Sequence, residues 1–213
     1  MDDFTSLRRN MVDCQLRTYD VTDRAVLAAA DSVPREDFVP ADLAHLAYLD
    51  RSIALPGTGR ALMTPMVIAR MIQLLDLQPG DAALEYAGGT GYGAALMAHM
   101  GATVTLWEPD EAARALAQAA LARAGVQGVA IASAQPAAAS FDAILVSGAC
   151  ETTPQNLFSL LRGEGRLIVV EGAGRSARVK LYRKSADAVA GRPVFDAAAP
   201  ILTEFSRPPA FVF

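Results

Sequence analysis

The feature that most constrains the fold is a glycine-rich turn between a strand-like segment and a helix-like segment. Residues 82–86 form a short apolar run, residues 87–91 read Ala-Gly-Gly-Thr-Gly, and residues 92–99 have a helical pattern. An α/β sheet accepts a nucleotide or nucleoside at such a junction, although glycines also serve tight structural turns. The turn therefore favours an α/β fold and leaves both interpretations of its function open.

The elements after residue 79 alternate between short apolar runs and helical patterns. Strands are predicted at residues 82–86, 103–107, 129–132, 142–146, 166–170 and 178–182, and helices at 92–99, 109–123 and 154–161. Such alternation is typical of a parallel sheet covered on both faces. The turn at 172–174 predicts an antiparallel addition to the sheet, and we expect the last apolar run, 200–205, to form a seventh strand.

The N-terminal part of the chain has a different character. Apolar residues recur at helical spacing in the first 50 residues, a glycine- and proline-rich loop covers 51–62, and Pro65 is suited to open a helix over 65–75. We expect residues 1–78 to form a helical segment with a substrate loop, packed on an α/β domain at 79–213 as one compact unit.

Composition excludes several classes of protein. With 19 basic and 23 acidic residues, the net charge of −4 gives no general attraction to nucleic acid or to an anionic membrane. The two cysteines form no metal-binding pattern, so neither a zinc site nor a disulfide framework is expected. No apolar run is long enough to span a membrane and no signal-peptide pattern opens the chain, which predicts a cytoplasmic protein.

Two acidic residues lie close to the predicted ligand loop. Glu108 ends the second strand about 20 residues after the glycines, where an acid can accept both hydroxyls of a ribose; the alternative is a solvated acid at a helix N-terminus. Glu85 lies inside the first strand, where burial of a carboxylate requires a partner. Glu85 can contact a ligand amino group, orient the amides of the loop, or form a salt bridge at a sheet edge.

The kind of ligand is narrowed by what the loop lacks. No Gly-Lys-Ser/Thr follows the glycines, so the loop is not a Walker phosphate loop, and the spacing is not a clean Gly-x-Gly-x-x-Gly. A ribose-binding acid without a phosphate-binding lysine indicates a nucleoside with a short charged tail. S-adenosylmethionine fits this description.

Several motifs resemble the protein-L-isoaspartate O-methyltransferase family. They are Met-Val-Asp-Cys-Gln-Leu-Arg at 11–17, Val-Pro-Arg-Glu-Asp-Phe-Val-Pro at 33–40, Ala-Tyr-Leu-Asp at 47–50, Leu-Glu-Tyr-Ala-Gly-Gly-Thr-Gly-Tyr at 84–92 and Phe-Asp-Ala-Ile-Leu-Val at 141–146. The segment at 33–40 is specific to the family, whereas many methyltransferases share a motif like that at 84–92. The resemblance covers most of the chain.

The resemblance implies a Rossmann-like, seven-stranded S-adenosylmethionine-dependent methyltransferase fold with an N-terminal helical segment. It further implies methyl transfer to a carboxylate of damaged aspartyl residues, with a protein or peptide bearing isoaspartate as the substrate. The residues expected to bind the cofactor are Glu85, Tyr86, Ala87, Gly88, Gly89, Gly91, Glu108, Pro109, Ala134 and Gln135.

The substrate loop departs from the family pattern, which reads roughly Gln-Thr-Ile-Ser-Gln-Pro. Aligned on the proline, this chain has Arg60, Ala61, Leu62, Met63 and Thr64. Met63 therefore stands at the position of the family serine and offers no hydroxyl for the substrate carboxylate. We expect cofactor binding to be retained and isoaspartyl repair to be weakened, with Thr64 as the possible substitute for the serine.

The cofactor motif departs from the pattern at two further positions. Ala87 replaces the first glycine, which is acceptable only if its φ is negative. Ala134 and Gln135 stand where the family has an acid that contacts the adenine amino group, and Gln135 can offer its amide oxygen instead.

Two other functions remain open from the sequence. One is a non-catalytic or substrate-changed descendant that binds the cofactor or a protein partner. The other is a nicotinamide-dependent reductase, which the glycine spacing fits poorly. The sequence does not give the oligomeric state.

Overall fold

The computed structural model describes residues 3–186 and 188–208. Its main feature is a seven-stranded sheet. The strands are β3 (Ala82–Tyr86), β4 (Thr103–Trp107), β5 (Val129–Ala132), β6 (Phe141–Cys150), β7 (Leu161–Glu171), β8 (Arg178–Ser185) and β9 (Ala188–Asp196). Their order across the sheet is β5-β4-β3-β6-β7-β8-β9. The first five pair in parallel, and β8 and β9 are added antiparallel at one edge. The predicted fold class is confirmed.

The N-terminal region consists of short helical segments and one small hairpin. The α-helices are α1 (Phe4–Met11), α2 (Arg24–Ser32) and α3 (Pro65–Leu75), and the hairpin pairs β1 (Ile53–Ala54) with β2 (Ala61–Leu62). A π-helical turn at Val12–Leu16 and 3-10 turns at Arg17–Tyr19, Arg35–Phe38 and Ala41–Leu46 complete the region. Helix α3 begins at Pro65, as the sequence predicts.

Three helices connect the strands of the sheet. They are α4 (Tyr92–His99), α5 (Glu111–Arg123) and α6 (Gln155–Phe158). The side chain of Asp110 accepts a hydrogen bond from the amide of Ala113, which explains why α5 starts two residues after the predicted Pro109. Between β5 and β6 the alanine-rich segment crosses the sheet without a helix.

The prediction of the last strand is wrong. Residues 200–205 make only one parallel bridge, Ile201 with Ala149, and end in a 3-10 turn. The seventh strand is β9, whose sequence contains Gly191 and Pro193 and whose residues are largely exposed. An edge strand tolerates proline and needs no continuous apolar run, so the apolar pattern does not reveal it.

The prediction of a helix over 154–161 is also wrong beyond residue 158. Helix α6 has only four residues, and Leu161 already pairs with Phe141 as the first residue of β7. Leu160 and Leu161 are both fully buried. Their apolar spacing fits a helix or a strand equally well, and pairing with the neighbouring strand decided between them.

Buried apolar residues form two clusters. The larger one joins the N-terminal helical region to β3, β4, β7 and β8, and includes Met11, Phe38, Ile72, Leu106 and Ile168. The smaller one contains Leu84, Trp107, Val146, Leu157 and Phe205. Core residues thus come from both predicted ranges, 1–78 and 79–213. The division of the chain at residue 78 stays a prediction. Residues 1–2 and 209–213 of these ranges lie outside the described structure.

Within 3–186 and 188–208, every helix is too short or too polar to cross a bilayer.

Candidate cofactor site at the carboxyl edge of the sheet

The glycine-rich turn lies at the carboxyl end of β3, next to the end of β4. Gly89 and Gly91 have φ values of 60° and 81°, and Ala87 has a φ of 56°. The left-handed region is open to glycine and costs an alanine about 1 kcal/mol or more. The condition of negative φ at Ala87 is therefore not met, and the alanine adopts the conformation that the family glycine would adopt without strain.

Glu108 faces this turn and is completely buried. Its Oε2 accepts a hydrogen bond from the Gly89 amide at 3.0 Å, and its Oε1 accepts one from the Asp110 amide at 3.0 Å. The predicted ribose-binding acid and the glycine loop are thus in direct contact. The structure brings together the two features that the sequence places 19 residues apart.

Arg60 completes the surroundings of Glu108. Its Nε donates to Glu108 Oε1 at 2.9 Å, while Nη2 and Nη1 donate to the two carboxylate oxygens of Glu204 at 2.9 and 3.2 Å. Burial alone would lower the pKa of Arg60, but the carboxylates of Glu108 and Glu204 raise it. The guanidinium therefore stays charged between two acids at the edge of the glycine loop.

Apolar and aromatic groups cover the rest of this edge. A Cβ placed on Gly89 would lie 2.7 Å from Leu55 Cδ1, so the hairpin packs directly on the loop. The Tyr86 ring contacts Trp107 and Phe205 edge to face, with centroids 4.9 and 5.8 Å apart. The Tyr86 hydroxyl donates to Glu204 Oε1 at 3.0 Å.

Glu85 is also completely buried, but its partners belong to the scaffold. Ser147 Oγ donates to Glu85 Oε1 at 2.5 Å, and the Ala94 amide in the first turn of α4 donates to Oε2 at 2.6 Å. Gly88 and Gly93 leave room for this carboxyl, since a Cβ on either glycine would lie within 2.4 Å of it. Of the three interpretations, orientation of backbone amides comes nearest to these contacts, but the amide is that of Ala94 in α4 and not one of the loop. A salt bridge at a sheet edge does not describe them, because β3 is a central strand.

The protonation of Glu85 follows from its burial. Loss of hydration raises the pKa of Glu85 to about 7, and the hydrogen bonds from Ser147 and the Ala94 amide limit the rise. The neutral form of the Glu85 side chain is therefore substantially populated near neutral pH. In that form the carboxyl can itself donate a proton to a neighbouring oxygen.

The remaining predicted cofactor residues lie outside this buried arrangement. Pro109, Ala134 and Gln135 are exposed, the first beside the start of α5 and the other two in the loop after β5. Their roles in cofactor binding stay predictions.

The substrate-loop residues take up an interior position. Met63 is only 1% exposed and belongs to the larger apolar cluster, while its carbonyl accepts a hydrogen bond from Arg35 at 2.6 Å. Thr64 precedes α3, and its buried Oγ1 has no hydrogen-bond partner within the described ranges. Ala61 and Leu62 form β2. Whether Thr64 replaces the family serine stays a prediction.

Sequence reasoning missed two residues of the site. Ser147 interrupts the apolar run of β6, and that single polar residue is a readable signal for a buried partner. Glu204 has no such signal, because it lies 144 residues from Arg60 and in a segment that the sequence suggests is a strand.

The described part of the chain is expected to bind no metal ion, and its arrangement of possible ligands is as follows. Within it, no group of three or more histidine, cysteine, aspartate or glutamate side chains is arranged to bind a metal ion.

The sheet order, the glycine turn after β3 and the acid after β4 define an α/β fold that accepts a nucleoside at the carboxyl edge of its sheet, and the solved structures that it matches have the S-adenosylmethionine-dependent methyltransferase fold. A solved protein-L-isoaspartate O-methyltransferase matches 92% of this chain with a TM-score of 0.77 at 23% identity. The chain covers 65% of that structure. A Plasmodium falciparum structure of the same description, solved in complex with S-adenosyl-L-homocysteine, matches 96% of this chain and 100% of its own, with a TM-score of 0.75 at 19% identity.

Sequence comparison identifies the family within this class. The family described as Protein-L-isoaspartate(D-aspartate) O-methyltransferase (PCMT) matches residues 7–196. A protein-L-isoaspartate O-methyltransferase from Methylorubrum extorquens is 39% identical over 87% of this chain and 83% of its own length. One from Gloeobacter violaceus is 41% identical over 76% and 81%. The chain belongs to the protein-L-isoaspartate O-methyltransferase family, whose members are S-adenosylmethionine-dependent enzymes.

The site has the types of residue that this cofactor requires, but their arrangement in this structure differs from the one that would bind it. The glycines with positive φ and the acid after β4 are the groups that a nucleoside requires. In this conformation, however, Glu108 is paired with Arg60, and Leu55 lies against Gly89. The protein's own hairpin therefore contacts both the acid after β4 and the glycine loop.

Proposed function

We propose that this protein transfers a methyl group from S-adenosylmethionine to a carboxylate of isoaspartyl residues in damaged proteins or peptides. The observation that carries the proposal is the contact between Glu108 and the Gly89 amide, at 3.0 Å. That contact joins a ribose-binding acid to a glycine loop at the carboxyl edge of the sheet. Membership of the family, over residues 7–196, supplies the class of acceptor.

The chemistry places few demands on acid–base groups. A carboxylate of ordinary pKa near 4 is already ionised at pH 7, so the acceptor needs no general base. S-adenosylmethionine supplies an activated methyl group when bound. The work left to the protein is to align the acceptor with that methyl and to exclude water.

The residues of this chain divide that work between them. Glu108 and the loop glycines bind the cofactor, and Glu85 orients the first turn of α4 through the Ala94 amide. Met63 stands where the family pattern has a serine. Because methionine has no hydroxyl, we expect the acceptor carboxylate to be bound weakly. We therefore expect methyl transfer to be slow rather than absent.

A methylation assay with paired peptides tests the proposal. One peptide carries an isoaspartyl residue and its control carries an aspartyl residue at the same place. We expect label from methyl-labelled S-adenosylmethionine to enter only the isoaspartyl peptide, and Glu108→Ala to abolish the incorporation. Equal labelling of both peptides would identify a different acceptor.

The assay also separates this proposal from a non-catalytic descendant. Absence of label in both peptides, with the wild-type protein and with Arg60→Gln alike, would contradict the proposed activity. The Arg60 variant is included because Arg60 contacts the predicted ribose acid.

A further inference from the structure

Arg60 occupies an unusual position for a residue of a substrate loop. Its side chain is 5% exposed and lies between two carboxylates, one of which is the completely buried Glu108. It makes three hydrogen bonds to these acids, at 2.9, 2.9 and 3.2 Å. Bidentate and buried pairs of this kind are the strong form of arginine–carboxylate contact.

Those contacts use the atoms that a ribose would need. Oε1 of Glu108 accepts from Arg60 and from the Asp110 amide, and Oε2 accepts from the Gly89 amide. A carboxylate that accepts both hydroxyls of a ribose requires room and lone pairs on the side facing the ligand. Arg60 and the two amides use three of the roughly four acceptor positions of Glu108, which leaves too few for both hydroxyls.

The neighbouring hairpin residues reinforce the same position. Leu55 pairs with Arg60 across the hairpin, through its amide and the Arg60 carbonyl at 3.0 Å, and its side chain lies on Gly89. The Gly59 amide donates to Asp110 Oδ2 at 3.3 Å, which attaches the tip of the hairpin to the start of α5. The hairpin thus covers both the acid and the glycine loop.

We propose that the hairpin β1–β2 is an autoinhibitory element, in which Arg60 occupies the ribose position of the cofactor site and has to leave Glu108 before the cofactor binds. This inference rests on the proposed function, because it concerns entry to that same site. The cofactor and the guanidinium compete for one carboxylate.

Glu204 determines how strongly Arg60 is retained. It accepts two of the three hydrogen bonds from the guanidinium and is itself fixed by the Tyr86 hydroxyl. The side chain of Glu204 is 29% exposed, whereas that of Glu108 is 0% exposed. The C-terminal segment is therefore a second, more accessible anchor for the hairpin.

The protein contains its own reporter for the displacement. Trp107 is the single tryptophan in the sequence, and its ring contacts Tyr86, which donates to Glu204. Movement of Arg60 away from Glu204 changes the surroundings of Tyr86 and hence of Trp107. Tryptophan emission during titration with S-adenosylhomocysteine therefore follows binding without turnover.

The experiment compares the wild-type protein with Arg60→Gln and with Arg51→Gln. Glutamine is neutral and of similar length, so it removes the competing charge while keeping a polar side chain. Arg51 lies exposed before β1 and serves as the matched control. We expect Arg60→Gln to bind S-adenosylhomocysteine about tenfold more tightly than the wild type, and Arg51→Gln to bind as the wild type does.

A second variant keeps the test decisive if Arg60→Gln folds poorly. Glu204→Gln leaves Glu108 and Arg60 intact but removes the charged partner that retains the guanidinium. Displacing Arg60 then breaks fewer contacts, so affinity should rise by about threefold, and the Trp107 emission change should occur at lower ligand concentration.

The outcomes distinguish this inference from the proposed function. Tight binding by the wild type, unchanged in Arg60→Gln and Glu204→Gln, would overturn the inhibitory role alone. No binding by any of the variants would overturn the inhibitory role and the cofactor assignment together. Tighter binding by Arg60→Gln without isoaspartyl methylation would support the inhibitory role and contradict the proposed acceptor.

Discussion

Glu85 and Glu108 are both fully buried at the carboxyl edge of the sheet, yet they stand in opposite relations to the rest of the protein. Glu85 is bound by a serine hydroxyl and a helix amide, which are fixed parts of the scaffold. Glu108 is paired with a guanidinium on a surface hairpin. The two carboxyls are therefore equally buried but differ in their partners: the scaffold holds one, and a side chain of the hairpin holds the other.

The comparison also concerns charge. Burial raises the pKa of Glu85 to about 7, so its neutral form is substantially populated at neutral pH. Glu108 instead has the Arg60 guanidinium beside it, with Nε 2.9 Å from its Oε1. Neutralising the two side chains should therefore have different consequences. The first two predictions test that difference, and the other two concern the glycine loop that contacts Glu108.

The largest effect should come from the pH dependence of Glu85. Its pKa is raised from 4.5 to about 7 on folding, so between these values the folded state binds a proton that the unfolded state has released. The contribution of Glu85 to stability is complete below pH 4.5 and is lost as the pH rises through 7. The loss is on the order of 3 kcal/mol.

Urea unfolding of the wild type and of Glu85→Gln at several pH values measures this effect. Glutamine can accept from the Ala94 amide and donate to Ser147 at every pH. The stability of the variant relative to the wild type should increase from pH 4.5 to pH 8. A constant difference across this range would show that Glu85 has an ordinary pKa.

The second prediction concerns removal of charge at pH 7. Glu108→Gln leaves the Arg60 guanidinium facing a neutral amide and should lower the free energy of unfolding by about 2 kcal/mol, because hydrogen bonds to charged groups are strong. Glu85→Gln is the matched control and should not lower the free energy of unfolding at pH 7, because Glu85 has lost most of its stabilising contribution at that pH. Equal losses in urea unfolding would remove the distinction between the two acids.

The third prediction tests the contact between the hairpin and the glycine loop. In Gly89→Ala the new Cβ would lie 2.7 Å from Leu55 Cδ1, at a φ of 60°. We expect a loss of about 1–2 kcal/mol from strain in the loop and displacement of the hairpin. Thermal unfolding gives the loss, and the emission of Trp107 reports the displacement; an unchanged melting temperature would show that the hairpin does not pack on the loop.

The smallest effect is expected at Ala87. Its φ of 56° favours glycine, but glycine also increases the entropy of the unfolded chain. Relief of strain should exceed that cost, so Ala87→Gly should stabilise the protein by about 0.5 kcal/mol. A loss of stability in urea unfolding would show that Ala87 is not strained.

The fold was predictable where the local sequence pattern agrees with the way the element packs in the folded protein. Apolar runs at β3, β4 and β5 and the proline that opens α3 predicted the bounds that the structure has. The pattern failed at β9, whose exposed residues include a glycine and a proline and form no apolar run. It also failed at residues 200–205, whose apolar side chains pack over Gly148 and Tyr86 without joining the sheet as a strand.

By itself, the sequence determined the class of fold, the position of the glycine loop and the acid that faces it, since these depend on residues close together in the chain and on the order of strands. Only the tertiary structure decided that Arg60 pairs with Glu108 and Glu204, 48 and 144 residues away. The spacing of residues along the sequence does not indicate such a contact, because the contact forms only when three distant segments meet at one edge of the sheet. The residues predicted to bind the cofactor are thus encoded locally, whereas their contacts with Arg60 are decided by the packing of the hairpin.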